Sequence, residues 1–261
     1  MNKLSFVASM LMMCLPMTMM AQKNGAKAQD KPDPNFQIYL CFGQSNMEGN
    51  ANIEDIDRTG VNPRFMAMYA VDDEKAGWKK GQWHTAVPPQ ARPDTGLTPV
   101  DYFGRKMVDN LPDSIKVGTI TVAVGGASID LFDKRTCKAY LKKQPDWMKN
   151  FASKYNGNPY ARLIELAKIA QKQGVIKGIL LHQGETNNGD VNWPNRVKTV
   201  YNDILKELHL KAEDVPLLVG ETVQKDQGGS CWQHIAIVDD IAKTIPTAHV
   251  ISSKGCPQRG D

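Results

Sequence analysis

The sequence predicts an α/β protein: a three-layer α/β/α sandwich around a central parallel sheet, in one domain. Three observations predict it. From Phe36 onward, short apolar runs alternate with amphipathic helical segments four or five times, the order that builds a parallel sheet through right-handed crossovers. The apolar runs, such as GILLH at 178–182, lack polar alternation, as strands covered on both faces do. The helical segments open on strong start signals, with Pro following Thr98 and Asn158 at the first helical position.

Taken in order, residues 1–21 read as a secretory signal. Lys3 supplies the charged start, 4–15 the apolar core, and Ala21 the small residue before cleavage. That core is too short to span a bilayer, so a secreted or periplasmic protein without a membrane span is expected. Residues 22–35 are polar and Pro-bearing, a flexible lead-in to a folded domain at 36–261. The first strand, 36–42, is rich in aromatic and β-branched residues and stands between Pro34 and Gly43. Further strands are expected at 65–71, 116–124, 176–182, 216–221 and 248–252. Helices are expected to follow Thr98-Pro99, Asn158-Pro159 and Asn192-Trp193-Pro194, and the segment 232–244 is amphipathic. Two long stretches without periodicity, 72–96 and 130–157, hold Trp78, Trp83 and Trp147; insertions of that length usually shape a binding surface.

Composition excludes several classes. With 261 residues, 41% hydrophobic and 23% charged, the chain is ordinary for a globular protein. A net charge of +4 is small for this length and gives no basis for nucleic-acid binding. Export places Cys41, Cys137, Cys231 and Cys256 in an oxidising compartment; three connectivities are open, and the two loop cysteines, Cys231 and Cys256, form the favoured pair. Cys41, inside the first strand, reads as a buried apolar thiol. No Cys or His spacing suggests a metal site, and no cofactor is expected.

Three strand ends carry the polar residues. They are Gly43-Gln44-Ser45-Asn46, Gly125-Gly126-Ala127-Ser128 and His182-Gln183-Gly184-Glu185. In a parallel sheet the carboxyl ends share one edge, where ligands bind. Ser45 is there a candidate nucleophile if a His base and oxyanion donors reach it, or else a simple helix N-cap. The Ser45 N–H, the Gly126 N–H and the Gln183 side-chain amide are candidate oxyanion donors, and Gly at 126 leaves room for an acyl group. Asn46 either braces its loop or touches substrate. Trp193 either stacks on a sugar ring at the same rim or packs its helix.

The stretches GQSNMEG (43–49), NPRF (62–65), TGLTPVDYF (95–103), VGGASI (124–129), LLHQGETN (180–187) and SSKGCPQRGD (252–261) resemble the SGNH-type hydrolases. Within them the match is to the sialate O-acetylesterase-like group that includes carbohydrate esterase family six. GQSNM followed by HQGE is the specific pair, and the resemblance covers nearly everything from Phe36. It implies a flavodoxin-like SGNH sandwich, Ser45 as nucleophile and oxyanion roles for Gly126 and Gln183. The acidic triad member it implies is either Glu185 of HQGE or Asp261, which matches the Asp of the family's terminal D-x-x-H. The sequence departs from that pattern at its end: no residue follows Asp261, so the family's His has no counterpart and a domain lacking its C-terminal end is expected. Of His84, His182, His209, His234 and His249, His182 is nearest the expected site, yet the family keeps a His there in addition to its base.

By the same resemblance, the expected function is removal of acetyl groups from a xylan-like polysaccharide or from sialic acid, through an acetyl-enzyme on Ser45. The competing class is a catalytically impaired carbohydrate-binding protein. A lipase or thioesterase is disfavoured, because no apolar lid-like helix is evident.

Overall fold

The computed structural model describes residues 31–256. The expected signal at 1–21, most of the lead-in and Asp261 lie outside the described residues. Seven strands form one sheet: β1 (Phe36–Gly43), β2 (Phe65–Met68), β3 (Trp83–Thr85), β4 (Lys116–Ala123), β5 (Val175–His182), β6 (Leu217–Gly220) and β7 (Ala248–Ile251). Their order is β3-β2-β4-β1-β5-β6-β7, parallel throughout except where β3 runs against β2. This is the α/β sandwich the sequence predicts, with one addition. The edge strand β3 lies inside the stretch read as aperiodic, because its three residues are too few to show a period.

The helices are α1 (Ser45–Glu48), α2 (Asp55–Arg58), α3 (Pro99–Asn110), α4 (Cys137–Lys142), α5 (Asp146–Ser153), α6 (Pro159–Ala170), α7 (Trp193–Glu207), α8 (Ile235–Asp239) and α9 (Ile241–Thr244). Local chemistry starts the longer ones. Thr98 and Asp101 form a reciprocal capping box at α3, and the Asn158 side chain accepts from the Ala161 N–H at 3.0 Å to open α6. The segment 232–244 is one amphipathic stretch in sequence but folds as a 3₁₀ turn followed by α8 and α9, which break at Asp240.

Alternate residues of β1 serve opposite faces. Ile38, Leu40 and Phe42 enter the larger core with Leu163 and Leu166 of α6 and Val197 and Val200 of α7. Tyr39 and Cys41 enter the smaller core with Val100 and Val108 of α3. Burial drives the Cys41 thiol pKa well above its ordinary value, so it behaves as an apolar side chain. The favoured Cys231–Cys256 disulfide is corrected by the structure: all four described cysteines are free. The Cys231 thiol instead donates to the Glu185 carbonyl at 3.6 Å, while Cys256 is exposed.

From β1 the chain goes first to β2 and β4 on one side, then to β5, β6 and β7 on the other. The carboxyl end of β1 is therefore the point where the winding switches, the place where open α/β sheets generally bind their ligands. Gly43 ends β1 because nothing larger fits: a Cβ on it would lie 2.0 Å from the His182 carbonyl oxygen at the end of β5. No helix among the described residues is long and apolar enough to cross a membrane.

Candidate active site

The three polar strand ends meet at this edge. The Gln44 N–H donates to the His182 carbonyl at 3.0 Å, joining the loop after β1 to the end of β5. Ser45 follows, half-buried, as the first residue of α1, whose cap position is Gln44. Among the described residues the Ser45 hydroxyl makes no hydrogen bond, so capping does not occupy it. A Cβ on Gly125 would stand 3.9 Å from the Ser45 Cβ, which places Ser45 and the Gly125-Gly126 turn on one wall. Neither the Ser45 N–H nor the Gly126 N–H finds an acceptor among the described residues. Gly126 holds φ at 69°, a left-handed conformation that a side chain would strain.

Behind this wall lies a buried amide network whose orientations are fixed by one-way donors. The Trp193 indole can only donate, and its Nε1–H points at the Gln183 Oε1 at 2.5 Å. The Gln183 NH₂ therefore faces the Gln44 Oε1 at 3.1 Å, the Ala127 carbonyl at 3.2 Å and the Asn187 Oδ1 at 2.8 Å. Gln44 Oε1 also accepts from the backbone of Gly184 and Thr186, and Asn187 Oδ1 from that of Ile129. This geometry bears on Gln183 and on the two alternatives open for Trp193. Two amide hydrogens facing three internal acceptors leave Gln183 none to aim at an oxyanion. Trp193 is fully buried, its ring edge against His234, and so presents no face to a sugar. Both residues brace the loops from within.

Asn46 and Glu185 bridge the other side, the Asn46 Nδ2 donating to the Glu185 Oε1 at 2.8 Å. The same oxygen lies 3.7 Å from His182 Nδ1, outside hydrogen-bond range. His182 Nε2 lies 3.1 Å from the Glu221 carbonyl, which can only accept, so Nε2 is the donor of that contact. Glu221 anchors the chain on its way to Asp261: its Oε2 accepts from the Ser252 hydroxyl at 2.9 Å and the Ser253 N–H at 2.8 Å. Burial pushes the Glu221 carboxyl up, but those hydrogen bonds outweigh it and the pKa ends below its ordinary value. His234 is fully buried beneath Gly184, and burial holds its pKa below the usual imidazole value despite the nearby charges of Glu185 and Asp190. No imidazole among the described residues is hydrogen-bonded to the Ser45 hydroxyl.

A buried ion pair that the sequence did not reveal supports the helix that begins with Ser45. Arg92, from the stretch between β3 and α3, binds Glu48 of α1 at 2.5 Å and the Ala123 carbonyl of β4 at 3.1 Å. Their side chains are 2% and 7% exposed. Removing one partner of such a pair leaves a lone charge in the interior, so Arg92→Leu is expected to cost about 3–5 kcal/mol. Urea unfolding measures this, and Arg92→Leu combined with Glu48→Leu should recover much of the loss. A single-variant loss below about 1 kcal/mol, the range of exposed pairs, would show that Glu48 finds other compensation.

A family model described as carbohydrate esterase, sialic acid-specific acetylesterase, matches residues 35–261. Among solved structures, a protein of Arabidopsis thaliana superposes with a TM-score of 0.63 at 18% identity, over 88% of this chain and 90% of that one. NanS gives 0.59 at 16% identity, over 88% and 81%. XAC1771, a carbohydrate acetylesterase from Xanthomonas citri, gives 0.55 at 22% identity, over 85% of this chain and 51% of that one. At such identities these likenesses speak for the fold.

Proposed function

The chain belongs to the carbohydrate esterase family of sialic acid-specific acetylesterases, and on that premise we propose that it is an exported serine O-acetylesterase acting on an acetylated carbohydrate. The observation that supports this reading is the wall at the strand ends, where a Ser45 hydroxyl unengaged among the described residues stands beside Gly125, with the Ser45 and Gly126 N–H groups likewise without an acceptor there. Ser45 Oγ attacks the acetyl carbonyl while an imidazole base takes its proton, and the two N–H groups receive the developing oxyanion. The sugar hydroxyl departs with that proton, leaving an acetyl-enzyme that water hydrolyses to acetate. Acetylated xylan and O-acetylated sialic acid are the two substrates to compare.

A second reading, a carbohydrate-binding protein without turnover, is favoured by one observation: no described imidazole touches Ser45. Acetate release from the two acetylated substrates, with 4-nitrophenyl acetate as a sugar-free reference, separates the readings. The esterase reading expects release that depends on Ser45. Sugar binding with no acetate release would hand the protein to the second.

A further inference from the structure

Trp147 lies on α5, in one of the two aperiodic stretches, and nothing in the catalytic reading so far uses it. Its ring tip covers Gly126: a Cβ on that glycine would lie 2.8 Å from the Trp147 Cη2. The side chain is nevertheless half-exposed, at 48%. A large apolar ring left in solvent beside a reaction centre offers a contact surface to a ligand.

The ring is also held in place. The Phe151 ring packs against it with centroids 5.8 Å apart and planes at 65°. Phe151 in turn lies under the Arg92 guanidinium at 4.8 Å, and Arg92 is bound to Glu48 in the helix that begins with Ser45. A packed series of groups thus ties the exposed indole to the nucleophile's own helix. Such a platform binds with little loss of side-chain freedom, since an indole has only two torsions to fix.

The chemistry of an O-acetyl sugar says what should lie there. Where the acetyl is carried on a ring hydroxyl, the acyl carbon is two bonds from a ring carbon, so when the carbonyl reaches Ser45 and Gly126 the sugar ring sits within a few atoms of that turn. A pyranose ring presents faces of C–H groups, and those pack flat against an aromatic face. The other tryptophans near the site do not offer this. Trp193 is buried, and one face of Trp232 is covered by the Lys225 ammonium at 4.6 Å. We propose that Trp147 is the stacking platform for the acetylated pyranose ring whose acetyl group is presented to Ser45. This rests on the esterase reading of Ser45 and adds a sugar subsite to it.

The test is calorimetric binding of O-acetylated xylo-oligosaccharides and of O-acetylated N-acetylneuraminic acid to the Ser45→Ala protein, which holds these sugars without the proposed nucleophile. Adding Trp147→Ala is expected to weaken binding of at least one sugar about tenfold or more, the scale of a hot-spot aromatic. Trp147→Phe, which keeps a flat face against Phe151, should recover most of that affinity. Trp147→Leu, which keeps apolar bulk without a flat face, should not. The Phe and Leu pair reads the platform even if the Ala variant does not fold. Binding of neither sugar, or binding that is the same with Trp, Phe and Leu at 147, overturns the proposal. Failure of the esterase reading shows differently, as no acetate release from the parent protein, and failure of the Ser45 assignment as release that persists in Ser45→Ala.

Discussion

Ser45→Ala is expected to lower acetyl-ester turnover by about 10⁴-fold or more, the loss that follows removal of a triad nucleophile. The structure explains why the fold should not suffer with it. Ser45 is half-buried, its hydroxyl makes no described hydrogen bond, and the Ser45 N–H and Gly126 N–H belong to the backbone, which the substitution leaves in place. Ala is also a better helix former than Ser at the start of α1. The expected outcome is an unchanged melting temperature with acetate release near background. Near-parental release from Ser45→Ala, with Ser128→Ala inactive instead, would move the nucleophile to Ser128. The structure makes that alternative unattractive, because the Ser128 hydroxyl lies 3.2 Å from the Asp130 Oδ2 and accepts from the Asp130 N–H, so it is engaged in capping the 3₁₀ turn Ile129–Leu131.

The second large effect separates the two acids. We expect Asp261→Asn to cost about 10⁴-fold in turnover, since a carboxylate that orients the imidazole also fixes its tautomer. Glu185→Gln should cost far less. The Glu185 Oε1 accepts from Asn46, and a Gln side chain keeps an oxygen for that bond. Its neighbour His182 holds Nδ1 3.7 Å from that oxygen, outside hydrogen-bond range, while Nε2 faces the Glu221 carbonyl. On this geometry we expect Glu185 to brace Asn46 rather than to orient that imidazole. Ser252 and Ser253 are held at the same edge by Glu221. Turnover of the two variants on one acetylated substrate decides the matter: a larger loss in Glu185→Gln than in Asp261→Asn assigns the role to Glu185.

Much of the fold was legible in the chain because its signals are local. The first strand shows itself by aromatic and β-branched residues between Pro34 and Gly43, and β1 spans 36–43. Thr98-Pro99 and Asn158-Pro159 announce α3 and α6, and their side chains cap those helices in the structure. What was not legible lacked length or period. β3 is three residues long, and the break between α8 and α9 falls at Asp240 without Gly or Pro to mark it. The polar strand ends were also readable, since three such clusters following three apolar runs must share one edge of a parallel sheet.

The sequence by itself determined the parallel sandwich and the sheet edge that gathers its polar strand ends, because strand and helix preferences act over a few neighbouring residues. Which side chain meets which was decided only in three dimensions. Asn46 and Glu185 are 139 residues apart, and Arg92 and Glu48 are 44 apart, with no period connecting either pair. The same holds for the tryptophans. Trp193 and Trp147 are alike as letters at the start of amphipathic helices, yet the core takes one completely and leaves the other half in solvent over Gly126. Burial of an indole depends on how its helix rotates against the sheet, and on whether a buried acceptor such as Gln183 Oε1 awaits its N–H. Those are properties of packing between elements, which no stretch of sequence contains.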